Sequence, residues 1–332
     1  MTGFAWLWLA LSAAGLAVGL LALVLWRYTR FVVRIFEEKP LFIVPRGQPY
    51  PEAEEIRFRT ADGVTLCGSY LHGEKNGGER RGVILFGVEF GANRWSCVPY
   101  CRHLLEAGYD VFAFDFRSQG QSDPQPGYEP MQWVTDYEAE DMRAAIAYLR
   151  KRPDADPHGI GFFGISRGGG AGLVAGANDP YVCCFVTDGA FGTLTTMVPY
   201  MRKWARLYVT FKPLVNLLPE WLFHLVARFA LWQVGRKRRC RFPSLERAIA
   251  RISPRPLLMI HGAADTYIKP EIAQALFAWA GHPKEFWLVE RAKHNQALQV
   301  RGEEYRRRVL EFFDKHLGCR SRAGREAVAR SG

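Results

Sequence analysis

The stretch that decides the fold is HGIGFFGISRGGGAG, residues 158–172. Two motifs overlap in it. A G-x-G-x-x-G pattern begins at Gly159 and is typical of dinucleotide binding, whereas a G-x-S-x-G pattern centred on Ser166 is typical of the turn that presents a nucleophilic serine. The first pattern predicts a cofactor-dependent oxidoreductase, and the second predicts a hydrolase.

The residues around the two motifs distinguish between them. A dinucleotide fingerprint follows a strand and opens a helix, but the residues before Gly159 read KRPDADPH, which is turn material. By contrast, the apolar segment GIGFFG leads directly into Ser166, and a helical segment follows. Gly164 and Gly168 supply the small flanking residues that such a sharp turn needs. The context therefore favours the serine.

Strand-like and helix-like segments alternate along most of the chain. Residues 82–88 (GVILFGV) and 109–116 (YDVFAFDF) are continuous apolar runs, as expected of strands buried on both faces. Residues 133–152 carry acidic side chains early and basic ones late, which favours a helix. Later strands are predicted at PLLMIHG and KEFWLVE. This alternation predicts an α/β fold with a mostly parallel sheet and helices on both faces.

A nucleophilic serine needs a base and a carboxylate that orients the base. Asp265 follows the strand PLLMIHG, and His294 follows the strand KEFWLVE, so each lies at the sheet edge where ligands bind. Asp188, after an earlier strand, is an alternative acid. His261 and His282 are weaker candidates for the base because they do not follow the last strand.

The segments GISRG, HGAADTYIKP, AKH and DFRSQGQSD, taken in order, resemble the α/β-hydrolase superfamily, particularly its lipase, esterase and serine aminopeptidase branches. The resemblance covers about residues 54–317. It implies an eight-stranded, mostly parallel sheet, with Ser166 as nucleophile, Asp265 as acid and His294 as base. It also implies that neither a metal nor an organic cofactor is required.

The oxyanion hole departs from the family pattern. One backbone N–H is expected from Arg167, and the other from Glu89 or Phe90 in the segment VEFG, where the family often has His-Gly-x-Gly. Glu89 brings a carboxylate near a site meant for an anion. We expect it either to turn away and pair with an arginine such as Arg94, or to weaken catalysis.

The N-terminal residues 1–27 predict a transmembrane anchor. Phe4 to Trp26 hold no charge and are long enough to span a bilayer, and the arginines that follow favour a cytoplasmic C-terminal side. The odd count of seven cysteines fits that reducing compartment. Residues 28–52 are expected to form a basic connector to a hydrolase domain at 53–318, followed by a basic tail at 319–332.

An aromatic-rich insertion at about 192–252 is too long for a plain loop in this fold. We interpret it as a helical lid over an apolar acyl pocket. Two alternatives fit the same pattern. The insertion could be a helix packed on the core, or a helix lying on the bilayer with the segment GRKRRCR on the lipid headgroups.

The chain as a whole, with a net charge of +11, is thus predicted to be a single-pass membrane serine hydrolase of apolar acyl esters or thioesters. Its expected partners are the membrane and a lipid or small acyl substrate. Nucleic acid is not expected, because the arginines show no stacking pattern, and the oligomeric state is left open. An acyltransferase with the same triad and a catalytically silent scaffold are the alternatives.

Overall fold

The computed structural model describes residues 2–37, 47–74, 80–208 and 212–318. Within them, eight strands form one sheet in the order β1-β2-β4-β3-β5-β6-β7-β8. The pairs β1–β2 and β2–β4 are antiparallel, and all other neighbours are parallel. The strands are β1 (Glu54–Arg59), β2 (Thr65–Leu71), β3 (Gly82–Gly87), β4 (Tyr109–Phe114), β5 (Ile160–Ile165), β6 (Val182–Asp188), β7 (Leu257–Gly262) and β8 (Lys284–Val289).

The helices of the described residues alternate with the strands from β3 onward. They are α1 (Thr2–Glu37), α2 (Cys97–Glu106), α3 (Asp136–Lys151), α4 (Arg167–Gly176), α5 (Leu194–Tyr208), α6 (Lys212–Leu217), α7 (Glu220–Arg238), α8 (Leu245–Arg251), α9 (Pro270–Ala278), α10 (Ala297–Val300) and α11 (Gly302–Phe313). The predicted lid segment, about 192–252, thus contains four helices among its described residues, α5 to α8, and Pro219 lies between α6 and α7. Proline cannot continue a helix, which accounts for the break.

Helices cover both faces of the sheet. Successive strand residues point to opposite faces, and Gly161 and Phe162 in β5 show what lies on each. A Cβ at Gly161 would meet the Phe313 ring of α11, whereas the Phe162 ring lies against Gly172 of α4. Every residue of the strands β3 to β7 is buried. The predicted α/β fold, with its mostly parallel eight-stranded sheet, is confirmed.

The loop after β4 is braced by buried ion pairs. Arg94 donates through Nη1 to Asp115 Oδ2 at 2.7 Å, and its backbone N–H donates to Asp115 Oδ1 at 2.7 Å. Arg117 donates through Nε to Asp141 Oδ1 at 2.7 Å. Because all four side chains are buried, each charge depends on its partner. Asp115 and Arg117 thus hold this loop in place through their bonds to Arg94 and Asp141.

The chain divides into two compact units. One consists of Met1–Lys39 together with Met197–Arg238, and the other of Pro40–Thr196 together with Arg239–Gly332. The first unit contains α1 and α7, and the second contains the sheet. α1 continues to Glu37, so the beginning of the predicted connector is helical. The predicted lid remains a prediction, and the predicted tail lies outside the described residues.

α1 is unlike the other helices in its surroundings. Its described side chains from Phe4 to Leu23 are exposed, whereas Thr29, Val32 and Phe36 are buried. It is the one helix among the described residues that is long and apolar enough to cross a membrane. A signal sequence at this end of a chain would meet the same criterion.

Candidate active site

Ser166 lies at the turn between β5 and α4, as the sequence predicted. Its φ is 50° and its ψ is −119°, a conformation that costs free energy for a residue with a side chain. Its backbone N–H donates to the Asp188 carbonyl at 2.7 Å, which helps to hold the turn. The side chain makes no capping bond to α4.

The three predicted triad residues meet at the carboxyl edge of the sheet. The Oγ atom of Ser166 lies 3.0 Å from Nε2 of His294, and Nδ1 of His294 lies 2.7 Å from Oδ2 of Asp265. The hydroxyl, imidazole and carboxylate therefore form a continuous chain of hydrogen bonds. This is the arrangement in which an imidazole can accept the serine proton while the carboxylate holds its tautomer.

Asp265 is held in place from both sides. Its Oδ1 atom accepts the backbone N–H groups of Tyr267 at 2.8 Å and Ile268 at 2.9 Å, which leaves Oδ2 for His294. His261 Nε2 lies 3.4 Å from the same Oδ2 atom and 2.8 Å from the Ile268 carbonyl. Burial lowers the pKa of His261, so this second imidazole is neutral and donates rather than acting as a base.

The loop that carries His294 is tied to the loop that carries Asp265. The backbone N–H of Ala264 donates to the Ala292 carbonyl at 2.9 Å. Asn295, the next residue after His294, has a φ of 56°, which turns the chain away from the site. These local constraints fix the imidazole between its two partners.

Asp188, the alternative acid, has a different hydrogen-bond partner from Asp265. Its Oδ2 atom accepts a hydrogen bond from the Tyr305 hydroxyl at 3.0 Å. Burial raises the pKa of Asp188 to about 7. Because burial favours the protonated form of this carboxyl, Asp188 is a poorer partner for an imidazolium than Asp265, which is hydrogen-bonded to Nδ1 of His294.

The expectation that Glu89 pairs with Arg94 is wrong, because the Arg94 guanidinium is already bound to Asp115. Glu89 is buried, and its Oε2 atom accepts a hydrogen bond from the Ser96 hydroxyl at 3.3 Å. Its Oε1 atom has no partner among the described residues. Burial raises the pKa of Glu89 to about 7, opposed by its own backbone N–H and by Ser96.

The candidate oxyanion donors follow from the chain path. Arg167 is the first residue of α4, so its N–H has no partner inside the helix and remains available to an oxyanion. The second donor is expected from the N–H of Glu89 or Phe90 in the loop after β3. The Arg167 side chain points elsewhere, since it donates to the Met131 carbonyl at 3.0 Å and lies over the rings of Phe90 and Phe116.

Two aromatic residues beside His294 were missed by sequence reasoning. The ring of Tyr267 lies 5.2 Å from the imidazole, and the ring of Phe191 lies 6.4 Å from it. The base of the candidate triad thus has two aromatic neighbours. Tyr267 stands inside the segment AADTYIKP, but nothing in its spacing indicates that it contacts the histidine.

Among the residues that the structure describes, no cluster of three or more His, Cys, Asp or Glu side chains could hold a metal ion. The side chains of Ser166, His294 and Asp265 can supply nucleophilic attack and proton transfer, and the backbone N–H groups can supply hydrogen bonds to a developing oxyanion.

The sequence of this chain is similar to those of several known proteins. The uncharacterized protein YfhR of Escherichia coli strain K12 is 26% identical over 265 residues, covering 79% of this chain and 80% of YfhR. The polyketide transferase ATR5 of Stachybotrys chlorohalonatus is 25% identical over 298 residues, covering 80% of this chain and 97% of ATR5.

The structure is similar to that of the esterase Pf2001 of Pyrococcus furiosus, with a TM-score of 0.60 and 25% identity over 84% of this chain and all of the esterase. The sequence profile of the alpha/beta hydrolase family matches residues 71–308. Since that match covers more than half of the chain and the fold agrees with it, the protein belongs to the alpha/beta hydrolase family.

Proposed function

We propose that the protein is a membrane-anchored serine hydrolase that cleaves an ester or thioester of an apolar acyl substrate. The observation that carries the proposal is the continuous chain of hydrogen bonds from Ser166 through His294 to Asp265, with separations of 3.0 and 2.7 Å. The strained backbone of Ser166 supports it, because such strain recurs at functional sites.

In this mechanism, the Ser166 Oγ atom attacks the acyl carbon while its proton passes to Nε2 of His294. The tetrahedral oxyanion accepts hydrogen bonds from the N–H of Arg167 and from a second N–H in the loop after β3. His294 then returns the proton to the departing alcohol or thiol, which leaves an acyl group on Ser166. A water molecule releases the acid by the same steps, and Asp265 stabilises the imidazolium each time.

The substrate class follows from the aromatic groups beside the base and from the named relatives. Phe191 and Tyr267 flank His294, and a structurally similar protein is an esterase. Transfer of the acyl group to an alcohol or amine instead of water is the second candidate, and the relative named polyketide transferase favours it. Both reactions share the acyl-enzyme and differ only in the acceptor.

The membrane anchor in this proposal is α1. Its exposed apolar side chains from Phe4 to Leu23 are unfavourable in water and favourable in a bilayer. Arg27, Arg30 and Arg34 at its carboxyl end favour a cytoplasmic location for the hydrolase. Trypsin added to sealed inside-out vesicles is expected to digest residues 47–318, and protection of those residues would contradict this orientation.

Fluorophosphonate labelling of the detergent-solubilised full chain tests the activated serine. We expect wild type to be labelled and Ser166→Ala to be unlabelled, whereas Ser253→Ala, a control at a serine bonded to the His282 carbonyl, keeps its labelling. A chain-length series of nitrophenyl esters then reports the acyl preference, and added alcohols separate hydrolysis from transfer.

Folded wild-type protein that resists the probe would contradict the enzyme proposal. It would favour instead a catalytically silent scaffold, with the buried Glu89 carboxyl as the physical reason.

A further inference from the structure

Helix α7 carries an exposed row of large apolar side chains, here called the apolar stripe. It consists of Trp221, Leu225, Phe229 and Trp232, which are 63%, 51%, 47% and 53% exposed. Their spacing of four, four and three residues places them on one face of the helix. Leu217, four residues before Trp221, is 77% exposed.

The stripe is not the packed face of the helix. The opposite side of α7 carries the buried residues Phe223, Val226, Ala227, Ala230 and Val234. A helix that buries one apolar face and exposes another is unusual in water, because large exposed apolar patches mark contact sites. Something other than water is therefore expected to cover the stripe.

Contacts within the same compact unit show which end of α7 is nearer the apolar span of α1. At one end, Glu37 of α1 accepts hydrogen bonds from Lys237 at 2.7 Å and Arg238 at 2.9 Å. At the other, the Tyr28 hydroxyl of α1 donates to the Met201 carbonyl of α5 at 2.7 Å.

Arg202 follows Met201 in the chain, and its side chain contacts the start of α7. The Arg202 guanidinium lies 5.3 Å from the Phe223 ring and 4.0 Å from the Glu220 carboxylate. α7 thus runs antiparallel to the end of α1. Its Trp221 end lies toward Tyr28, only two residues from Trp26 and the exposed apolar segment of α1.

The charges on this face fit an anionic surface. Arg228 and Arg236 are exposed on the same side of α7 as the stripe, and the Arg236 guanidinium lies 5.2 Å from the Trp232 ring. On α1, the Arg30 guanidinium lies 4.9 Å from the Trp26 ring. Aromatic rings beside cationic side chains suit the boundary between headgroups and acyl chains.

We propose that the apolar stripe is a second membrane contact, inserted at its Trp221 end into the headgroup–acyl boundary of the bilayer that α1 crosses. The occupant of this face is an anionic lipid surface. The proposal rests on the proposed anchor and is independent of whether Ser166 is an active nucleophile.

The test places an environment-sensitive fluorophore on single cysteines in the full chain, reconstituted in vesicles of phosphatidylcholine and phosphatidylserine. Cys319→Ser removes the cysteine outside the described residues, and the six described cysteines are buried. The labelled variants are Trp221→Cys and Leu225→Cys on the stripe, Leu11→Cys in α1, and Trp279→Cys as the control. Trp279 is 55% exposed and thus matches the stripe residues in exposure.

We expect spin-labelled lipids with a shallow nitroxide to quench the label at position 221 most and at position 225 less. A deep nitroxide is expected to quench position 11, and neither should quench position 279. Unquenched labels at 221 and 225 with a quenched label at 11 would overturn the stripe proposal and leave the anchor. An unquenched label at 11 would overturn the anchor and the stripe proposal together. Equal quenching at 279 would overturn the assignment to the stripe.

A separate experiment tests whether the arginines beside the apolar stripe contribute to the membrane contact. Replacing Arg228 and Arg236 by glutamine is expected to reduce quenching at position 225 at least about threefold in phosphatidylserine vesicles. Arg143→Gln, an exposed arginine of α3 paired with Glu140, should leave it unchanged. Shielding of the label from iodide without lipid quenching would indicate a second protein copy on the stripe and would overturn the lipid assignment.

Discussion

At the scale of single residues, the site contains three buried carboxyl groups in different environments. Asp265 accepts two backbone N–H groups and the His294 imidazole. Asp188 accepts a tyrosine hydroxyl, and Glu89 accepts a serine hydroxyl, and burial raises the pKa of each of these two to about 7. Hydrogen bonds to the charged form stabilise an anion, whereas burial with few donors favours the protonated acid.

The two aspartates are therefore expected to respond differently to the same substitution. Asp265→Asn should lower kcat by about 10⁴, because an amide can stabilise the wrong imidazole tautomer. Asp188→Asn should change kcat less than about tenfold, since the hydrogen bond of the Asp188 carboxyl is with the Tyr305 hydroxyl, whereas Nδ1 of His294 is bonded to Asp265. The measurement is kcat for ester hydrolysis by both variants, after each variant has been shown to be folded. A larger loss in Asp188→Asn would contradict the assignment of the acid.

Glu89→Gln is expected to alter the pH dependence of activity. The glutamine resembles the protonated acid and cannot become an anion beside the oxyanion donors. The ratio of kcat in the variant to kcat in wild type should thus rise as the pH increases through about 7, the pKa to which burial raises Glu89. Parallel pH profiles from 5.5 to 8.5 measure this ratio. If the ratio of the two kcat values does not change from pH 5.5 to 8.5, the charge of the Glu89 carboxylate has no effect on the stability of the oxyanion.

At the scale of elements, the close approach of α4 to β3 sets the position of the nucleophile turn. A Cβ at Gly168 would lie 2.3 Å from the Gly87 carbonyl oxygen and 2.4 Å from the Val88 carbonyl oxygen. Both atoms belong to the backbone, which cannot move aside as a side chain can. Glycine at this position thus allows the start of α4 to lie against the loop that carries Phe90.

Gly168→Ala is expected to destabilise the fold by about 3 kcal/mol and to slow fluorophosphonate labelling. The matched variant is Gly170→Ala in the same helix, where the atoms nearest to a Cβ would be side-chain carbons of Leu245 at 2.8 Å and Val134 at 2.9 Å, which can shift more readily than backbone atoms. We expect Gly170→Ala to change the free energy of unfolding by no more than about 1 kcal/mol, since alanine favours a helix. Thermal unfolding in detergent compares the two, and equal stability would argue against the backbone clash.

At the scale of the whole molecule, two buried acids connect stability to pH. Glu89 and Asp188 each have a pKa raised to about 7 in the folded protein, so the folded state holds protons that the unfolded chain has released. Stability is then greatest below the unfolded-state pKa values and decreases as the pH rises toward 7.

We expect the double variant Glu89→Gln with Asp188→Asn to lose part of this dependence. Each group contributes up to about 1.4 kcal/mol per pH unit between its unfolded and folded pKa values. The melting temperature of wild type in detergent, measured from pH 5 to 8, should therefore fall more steeply than that of the variant. Identical slopes would show that neither carboxyl is protonated in the folded protein.

The sequence by itself determined the order of strands and helices, the turn at Ser166, and the presence of a carboxylate and a histidine after the last two strands. These features depend on local properties, namely the hydrophobic period and the conformational freedom of glycines around the serine. They also depend on the rule that the carboxyl ends of parallel strands meet at one edge, which places Asp265 and His294 near Ser166 before any distance is known.

The tertiary structure adds the contacts of the two candidate acids, Asp265, which the sequence favoured, and its alternative Asp188. Asp188 and Asp265 both come at or just past the end of a parallel strand, and the loop bonds between Ala264 and Ala292 determine which one faces His294. In the same way, Arg94 is bound by Asp115 rather than Glu89, and α7 packs with α1 although they are far apart in the chain. The physical reason is that pairing and burial depend on neighbours in space, which a local pattern does not specify.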